Sequence, residues 1–394
     1  MNKIGVFYGV FLFVCVFHTL TVSQVPPYVE KCETGLYPPP AKHAVASHIV
    51  NLDLAPAERW RETLKDKTPM LKNLIAKFKE FIIDFSGGSH FLIDLVDKDF
   101  VVLVDTLPSP FKEEIKGIAN ITGIPLGEVV LYNVFYEIFT VCTSIIAQDS
   151  KGVMYHARNL DFGLFLGWKN HSWVITKALR PALVQLDFQS KGKTVFKSVN
   201  FAGYIGVLTG MKPGVFTLTM NERFNADGGY IGILKWILGD RKSVWMGFLT
   251  RMVLETASSF EEARFRLANT PMLAPAYFIV GGNQSYQVRR LGCVITRARD
   301  KALDVWCMNK TDFYILETNY DHWEKPFILD DRRTPAHNCM NKLTAKGVGI
   351  PGLFNVLSSK PVLNKLTTYT ALMQVNSGHI ETYLQYCPEP CFPW

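Results

Sequence analysis

The sequence predicts an α+β protein in which a mainly helical N-terminal part precedes antiparallel sheets covered by helices. Three observations carry that reading. Apolar residues recur at helical spacing up to about residue 140, β-rich runs separated by turn signals dominate from Cys142 onward, and the composition is that of a chain with a large core. Of the 394 residues, 48% are apolar and 20% charged, far from the balance of a disordered chain. At about 150 residues per domain the length allows two or three domains, and equally one large unit.

Taken in order, residues 1–23 read as a secretory signal peptide: Lys3, an apolar stretch from Ile4 to Phe17, then small residues at Thr21 and Ser23 ahead of Gln24. That stretch is short of the roughly twenty residues a membrane span needs. From Pro56 to Phe85 the positions Trp60, Leu64, Leu71, Leu74, Ile75, Phe78, Ile82 and Phe85 mark one or two amphipathic helices, with Pro69 as a break. Further helical patterns cover Phe91 to Val96, Phe111 to Asn120, closed by Thr122-Gly123, and Leu126 to about Phe139. The apolar stretch Val129 to Ala147 contains Asn133 and Glu137 and reads as a buried helix running into a strand, so the mature chain is expected to be soluble.

Strands then predominate. Thr143 to Gln148 and Val153 to Asp161 flank Asp149-Ser150-Lys151-Gly152, the signature of an antiparallel hairpin. More runs follow at Leu183 to Phe188, Thr194 to Asn200, Ile205 to Thr209, Val215 to Met220, Tyr277 to Val280, Val294 to Arg297, Leu303 to Trp306 and Phe313 to Thr318. Leu366 to Val375 pairs with His379 to Leu384 across Asn376-Ser377-Gly378, and helical patterns span Tyr230 to Leu238, Val244 to Thr256 and Phe260 to Ala268.

Several chemistries are excluded. The nine histidines are scattered, with no His-Glu-x-x-His and no Cys-x-x-Cys, so no metal site and no cofactor is implied. No phosphate-cradling Gly-x-x-x-x-Gly-Lys loop and no Gly-x-Ser-x-Gly elbow is present. The net charge of +7 comes without a Lys/Arg run or an RNA-binding motif, which sets nucleic acid aside. Sequons begin at Asn120, Asn170, Asn283 and Asn309 and agree with a secretory route.

Eight cysteines become seven once Cys15 leaves with the signal, so an oxidising compartment leaves at least one thiol unpaired. Cys142 stands at the junction of the helical and β-rich parts. A cysteine between Val141 and Thr143 on an apolar strand is ordinarily an inert buried thiol, but its hairpin returns Arg158 and Asp161 beside it. A cation and a carboxylate there can lower a thiol's pKa and hold a base in place.

The block Cys142-Thr-Ser-Ile-Ile-Ala-Gln-Asp, His156-Ala-Arg-Asn-Leu-Asp-Phe-Gly, Thr318-Asn-Tyr-Asp-His-Trp and Asp330-Asp-Arg-Arg-Thr-Pro resembles the acid ceramidase family of N-terminal nucleophile hydrolases. The resemblance runs over nearly the whole mature chain. It implies a four-layer αββα sandwich, cut between Val141 and Cys142 into a helical α chain (24–141) and a catalytic β chain (142–394). It further implies that Cys142 attacks the amide of ceramide, with its own freed α-amine as the base. Arg158 and Asp161 would orient and charge-balance that amine and thiol, Asn319 would donate to the oxyanion, Arg332 would brace the site, and Glu222 would be a further polar member. Whether amine and thiol work as a neutral pair or as ammonium and thiolate stays open.

The resemblance also implies disulfides Cys32–Cys339, tying the two chains together, and Cys387–Cys391. For Cys293 and Cys307, a hairpin facing Arg297 with Leu303 sets the two opposite each other, and ordinary cross-strand spacing leaves their β-carbons slightly beyond disulfide reach. Whether they pair stays open. Phe162-Gly-Leu-Phe-Leu-Gly-Trp resembles a substrate-groove lining. The implied partners are the lipid substrate, an anionic membrane surface met peripherally, and a saposin-type activator protein, in a lysosome. Residues 24–141 carry net −4 and residues 142–394 net +10, a balance suited to chain complementarity and to anionic lipid. The rival readings are an N-acylethanolamine acid amidase, a non-catalytic lipid-binding glycoprotein, and a papain-like protease, for which His156 is the one nearby histidine.

Overall fold

Asp149 begins the turn that opens the central sheet: its Oδ1 accepts the N–H groups of Lys151 and Val153, both at 2.8 Å, and Gly152 takes a left-handed φ of 89°. The computed structural model describes residues 31–85, 96–136, 140–162, 168–169, 172–224, 228–283 and 291–391. The longer strands are, in chain order, β1 Ser47–Asn51, β2 Thr140–Gln148, β3 Met154–Phe162, β4 Leu183–Ser190, β5 Lys193–Phe201, β6 Thr209–Lys212, β7 Phe216–Glu222, β8 Ala276–Gly282, β9 Gly292–Arg297, β10 Ala302–Cys307, β11 Tyr314–Glu317, β12 Thr367–Gln374 and β13 His379–Leu384. The longer helices are α1 Thr68–Phe85, α2 Phe111–Thr122, α3 Leu126–Phe135, α4 Gly229–Ile237, α5 Met246–Thr256, α6 Phe260–Asn269, α7 Arg333–Gly347 and α8 Ile350–Leu357.

Two sheets result. One has five strands in the order β11-β2-β3-β12-β13, and the other has eight, β1-β4-β5-β6-β7-β8-β9-β10. The period-2 geometry of β2 makes the layers visible. Ile145 joins a cluster with Leu316, Met340, Leu353 and Leu372 beneath α7 and α8, whereas Ile146 joins Tyr277, Ile279, Val294 and Ile315 between the sheets. On the far side of the eight-stranded sheet lie α5 and α6, and the N-terminal helices join the same large core. The layering is helix, sheet, sheet, helix, so the α+β class and the αββα arrangement hold.

Local signals set many element ends. Gly123 closes α2 at φ 65°, its N–H reaching Ala119 O at 2.9 Å, and Glu113 and Glu114 occupy the first turn of that helix. Ser259 caps α6 by accepting the Glu262 N–H at 3.1 Å. Pro69 stands in the first turn of α1, where a missing N–H costs nothing, so it starts the helix where the sequence suggests a break.

Other differences are longer in range. The run Ile205 to Thr209 is a strand only from Thr209, because Asn200 Nδ2 bonds the carbonyls of Tyr204 and Gly206 and holds that stretch as a loop. β1, which the sequence reading lacks, is an edge strand paired in parallel with β4, and Val45 N–H reaches Thr382 O in β13 at 3.0 Å. The N-terminal part is therefore woven into both sheets. A buried ion pair reinforces it: Glu114 of α2 receives Arg251 of α5 at 2.5 and 2.6 Å and the Trp60 indole at 2.7 Å. Phe91 to Leu95 and residues 1–30 lie outside the described residues.

Candidate active site

The hairpin register places Val141 opposite Asp161, Cys142 opposite Leu160 and Ser144 opposite Arg158. Cys142 is fully buried, and it is the free cysteine among the described residues. Its Sγ accepts an N–H from Arg158 Nη2. Burial pushes the thiol up to about 11, against the pull of Arg158, and Asp161 pushes it further in the same direction. Cys142 is therefore a thiol, because desolvation exceeds the combined pull of Arg158 and Arg332.

The backbone of the same residue is gripped separately. Cys142 N–H donates to Asn319 Oδ1 at 2.8 Å, and Cys142 O accepts from Arg332 Nη1 at 2.5 Å. Arg332 Nη2 also donates to Asn319 Oδ1, at 2.8 Å, and Asp330 receives Nε and Nη2 at 2.8 and 2.9 Å. Burial disfavours the guanidinium charge, but Asp330 and then Asp161 outweigh it and hold Arg332 above the ordinary arginine value. The charged run Asp330 to Arg333 thus turns one arginine inward, at 2% exposure, rather than forming a solvated cluster.

Asn319 has no freedom to flip: its oxygen takes two donors, while Nδ2 donates to Glu222 O at 2.7 Å and Thr140 O at 3.3 Å. The amide expected to serve an oxyanion is thus committed to two carbonyls. Glu222 meanwhile accepts the Thr140 N–H at 3.0 Å, two residues before Cys142.

Asp161 sits differently from the expectation that it serves the thiol. Its odd spacing from Arg158 puts it on the opposite face of β3, where Asn364 Nδ2 donates to it at 3.0 Å and Arg332 Nη1 lies 3.6 Å away. Burial raises its carboxyl to about 6 despite Arg332. It acts on the arginine that holds the Cys142 carbonyl.

Of the six residues named from sequence, Arg158, Glu222, Asn319 and Arg332 thus surround Cys142 or its flanking peptides, and Asp161 joins through Arg332. Sequence reasoning did not single out Asn364, Thr209 or Tyr369, and it named Asp330 only within a motif. The parity of positions 158 and 161 was the signal that could have separated their faces. His156 bonds Thr217 and Thr219 at 2.9 and 3.0 Å and is kept neutral by burial, which lowers it to about 3, so it does not serve the thiol.

Cys32 is bonded to Cys339, Cys387 to Cys391 and Cys293 to Cys307. The last pair stands directly opposite in β9 and β10 with Cα atoms 4.0 Å apart, so the strands close in to reach it, and a bulge sets Arg297 against Ala302 rather than Leu303. Asn120 and Asn309 are exposed, Asn283 is half-buried with Nδ2 donating to Gly214 O, and Asn170 lies outside the described residues. Of the expected groove lining, Phe162 packs on Tyr136 at 5.3 Å, and residues 163–167 lie outside the described residues. Among the described residues no cluster of His, Cys, Asp and Glu could hold a metal, and no helix is long and apolar enough to cross a membrane.

Residues 142–386 match the family model described as linear amide C–N hydrolases, choloylglycine hydrolase family, and that is the class of enzyme this fold and site define. Residues 43–107 match a second model, the beta subunit of N-acylethanolamine-hydrolyzing acid amidase. The chain belongs to the acid ceramidase family: it is 51% identical over 379 residues to the acid ceramidase of Homo sapiens, covering 94% of this chain and 95% of that protein. It is 49% identical over 382 residues to that of Bos taurus, with 95% of each covered. Among solved structures it resembles a Caenorhabditis elegans N-acylethanolamine-hydrolyzing acid amidase ortholog, at a TM-score of 0.52 and 29% identity over 62% of this chain and all of that one.

Proposed function

We propose that this enzyme hydrolyses the amide bond of ceramide, giving sphingosine and a free fatty acid through a thioester on Cys142. The observation that carries the reading is the triple hold on one residue: thiol on Arg158, amide N–H on Asn319 and carbonyl on Arg332. Independent side chains from distant parts of the sequence thus fix the attacking sulfur, the departing nitrogen and the carbonyl that orients them, as pre-organised catalysis requires.

Maturation comes first. Cys142 Sγ adds to the carbonyl carbon of Val141, the thiol proton passes to the departing amide nitrogen, and water hydrolyses the resulting thioester. The products are a Val141 carboxyl terminus and a free α-amine on Cys142, in a two-chain protein joined by Cys32–Cys339. The strand holding Thr140 then loses its covalent hold, and Asn319 Nδ2 gains a vacancy where it met Thr140 O. That amide, beside Arg332, is suited to a developing oxyanion.

In turnover the α-amine takes the thiol proton, Sγ bonds the acyl carbon, and the sphingoid amine leaves with the proton. Water then releases the fatty acid and regenerates the thiol. The site works in the lysosome after secretory targeting by residues 1–23, against an anionic membrane surface that the net +10 of residues 142–394 favours, with a saposin-type activator delivering lipid.

N-acylethanolamine hydrolysis is the second reading, favoured by the match of residues 43–107 and by the nematode neighbour. One experiment tests both. The Cys142→Ala chain is expressed in a secretory host and acidified, and chain cleavage is followed together with fatty-acid release from ceramide and from N-acylethanolamines. Loss of the cut and of both hydrolyses is expected of the variant, with ceramide the better wild-type substrate. A Cys142→Ala protein that still splits at this bond would overturn the mechanism.

A further inference from the structure

The cation beside the thiol is itself held from behind. Arg158 Nη1 donates to Leu208 O at 2.7 Å and to Thr209 Oγ1 at 2.8 Å, and the Tyr369 hydroxyl lies 2.8 Å from Thr209 Oγ1. Thr209 belongs to β6 of the eight-stranded sheet and Tyr369 to β12 of the five-stranded one, so the two hydroxyls bridge the sheets. In β12, Tyr369 stands opposite Leu160 and Ala371 opposite Arg158, which puts the tyrosine and the arginine on one face. Cys142, Arg158, Thr209 and Tyr369 are all fully buried.

A guanidinium is a rigid plane, so fixing Nη1 fixes where Nη2 points. Arg158 Nε has no hydrogen-bond partner, which leaves Leu208 O, Thr209 Oγ1 and the Cys142 sulfur as the groups that orient the fork. Of these, Thr209 is a side chain whose own position depends on a second side chain, Tyr369. We infer that Thr209 and Tyr369 are positioning residues that hold the Arg158 guanidinium against the Cys142 sulfur and so set how much thiolate the site supplies. The inference rests on the reading of Cys142 as the nucleophile.

The tyrosine ring is anchored apart from its hydroxyl, edge-on to Phe201 at 6.2 Å, so Tyr369→Phe removes the hydrogen bond and keeps the packing. Thr209→Val is the matching change at the other hydroxyl, and Thr209→Ser restores it. With the processed full-length protein, the readouts are the pH dependence of Cys142 alkylation by iodoacetamide, followed on the Cys142 peptide by mass, and kcat and KM on ceramide across pH.

Thr209→Val is expected to move the alkylation profile up by about one pH unit, which is about tenfold slower labelling on the rising limb, and to lower kcat with KM little changed. Tyr369→Phe moves both the same way by a smaller amount, and Thr209→Ser returns them to wild type. Wild-type alkylation profiles and kcat in Tyr369→Phe and Thr209→Val would overturn the inference, as would equal losses in Thr209→Val and Thr209→Ser. If Thr209→Val fails to fold, Tyr369→Phe against wild type decides the matter by the same profile. A Cys142→Ala control that retains turnover would instead sink the nucleophile reading, so the two failures are distinguishable.

Discussion

Asn319 Oδ1 accepts the backbone N–H of Cys142 at 2.8 Å across 177 positions of sequence, while its Nδ2 donates to the carbonyls of Glu222 and Thr140. The side chain thus reads both polarities of the peptides around the proposed cut. Asn319→Asp keeps the acceptor and sets a carboxylate oxygen against two carbonyls. It is expected to slow both chain cleavage and ceramide turnover by about 10²–10³-fold, as loss of one oxyanion donor does elsewhere. Gel analysis of the two chains and a fatty-acid assay check this, and near-normal rates would exclude the proposed role.

Arg332 spreads one planar fork over Cys142 O, Asn319 Oδ1 and Asp330. A lysine offers a single point charge and cannot reproduce that geometry. Arg332→Lys should fold, because it keeps a cation beside Asp330 and Asp161, yet lose at least about tenfold in kcat. Arg332→Met should in addition lose about 3–5 kcal/mol of stability, since it strands the buried Asp161 carboxylate. Chemical denaturation alongside kinetics separates the two effects.

Glu317, buried at the end of β11, gives a pH prediction. Burial raises its carboxyl from the ordinary 4.5 to about 8, and Arg333, Asp321, Arg332 and Tyr277 are the charged and titratable groups around it. The folded state binds this proton more tightly than the unfolded chain does, so the contribution to stability is full below pH 4.5 and is lost as pH rises through 8. Glu317→Gln should match wild type at pH 4 and exceed it at pH 8 by on the order of a few kcal/mol. Asp161, raised to about 6, works in the same direction at lower pH, whereas His156, lowered to about 3, opposes it between there and its ordinary 6.5. Thermal melts of both proteins from pH 4 to 8 supply the test, and parallel curves would refute it.

The Glu114–Arg251 pair is expected to dominate the electrostatics of the join between α2 and α5. Both side chains are fully buried, and Arg251→Met leaves Glu114 with Arg59, at 3.0 Å, as its remaining cation, so it should cost about 2–3 kcal/mol. The exposed Lys116–Asp105 pair is the control, where Lys116→Ala should change stability by less than about 1 kcal/mol. Equal effects in urea titrations would contradict this reading.

Much of this was legible in local pattern. The β2–β3 hairpin follows from period-2 apolar runs around an Asx turn, and the β9–β10 register follows from chain symmetry, which set Cys293 against Cys307. What escaped depends on distant partners. Ser47–Asn51 has little alternation because it is a parallel edge strand, completed by residues more than a hundred positions away. α7 was hidden by the charge cluster at its start, whose arginine is buried only because Cys142 O and Asn319 come to meet it. Thr209, Tyr369 and Asn364 are single polar residues in ordinary contexts; the stacking of the sheets gives Thr209 and Tyr369 their partner, and Asn364 finds Asp161 only through a contact 203 positions away in sequence.

The disulfide between Cys32 and Cys339 closes a loop of 307 residues that contains the Val141–Cys142 bond. While the chain is whole, folding is unimolecular and β1 finds β4 by ordinary chain diffusion. After the proposed cut, the same pairing becomes a bimolecular association whose stability depends on dilution. The disulfide removes that dependence by fixing the effective concentration of one piece around the other. Reducing it should therefore matter little to a concentrated two-chain enzyme and a great deal to a dilute one.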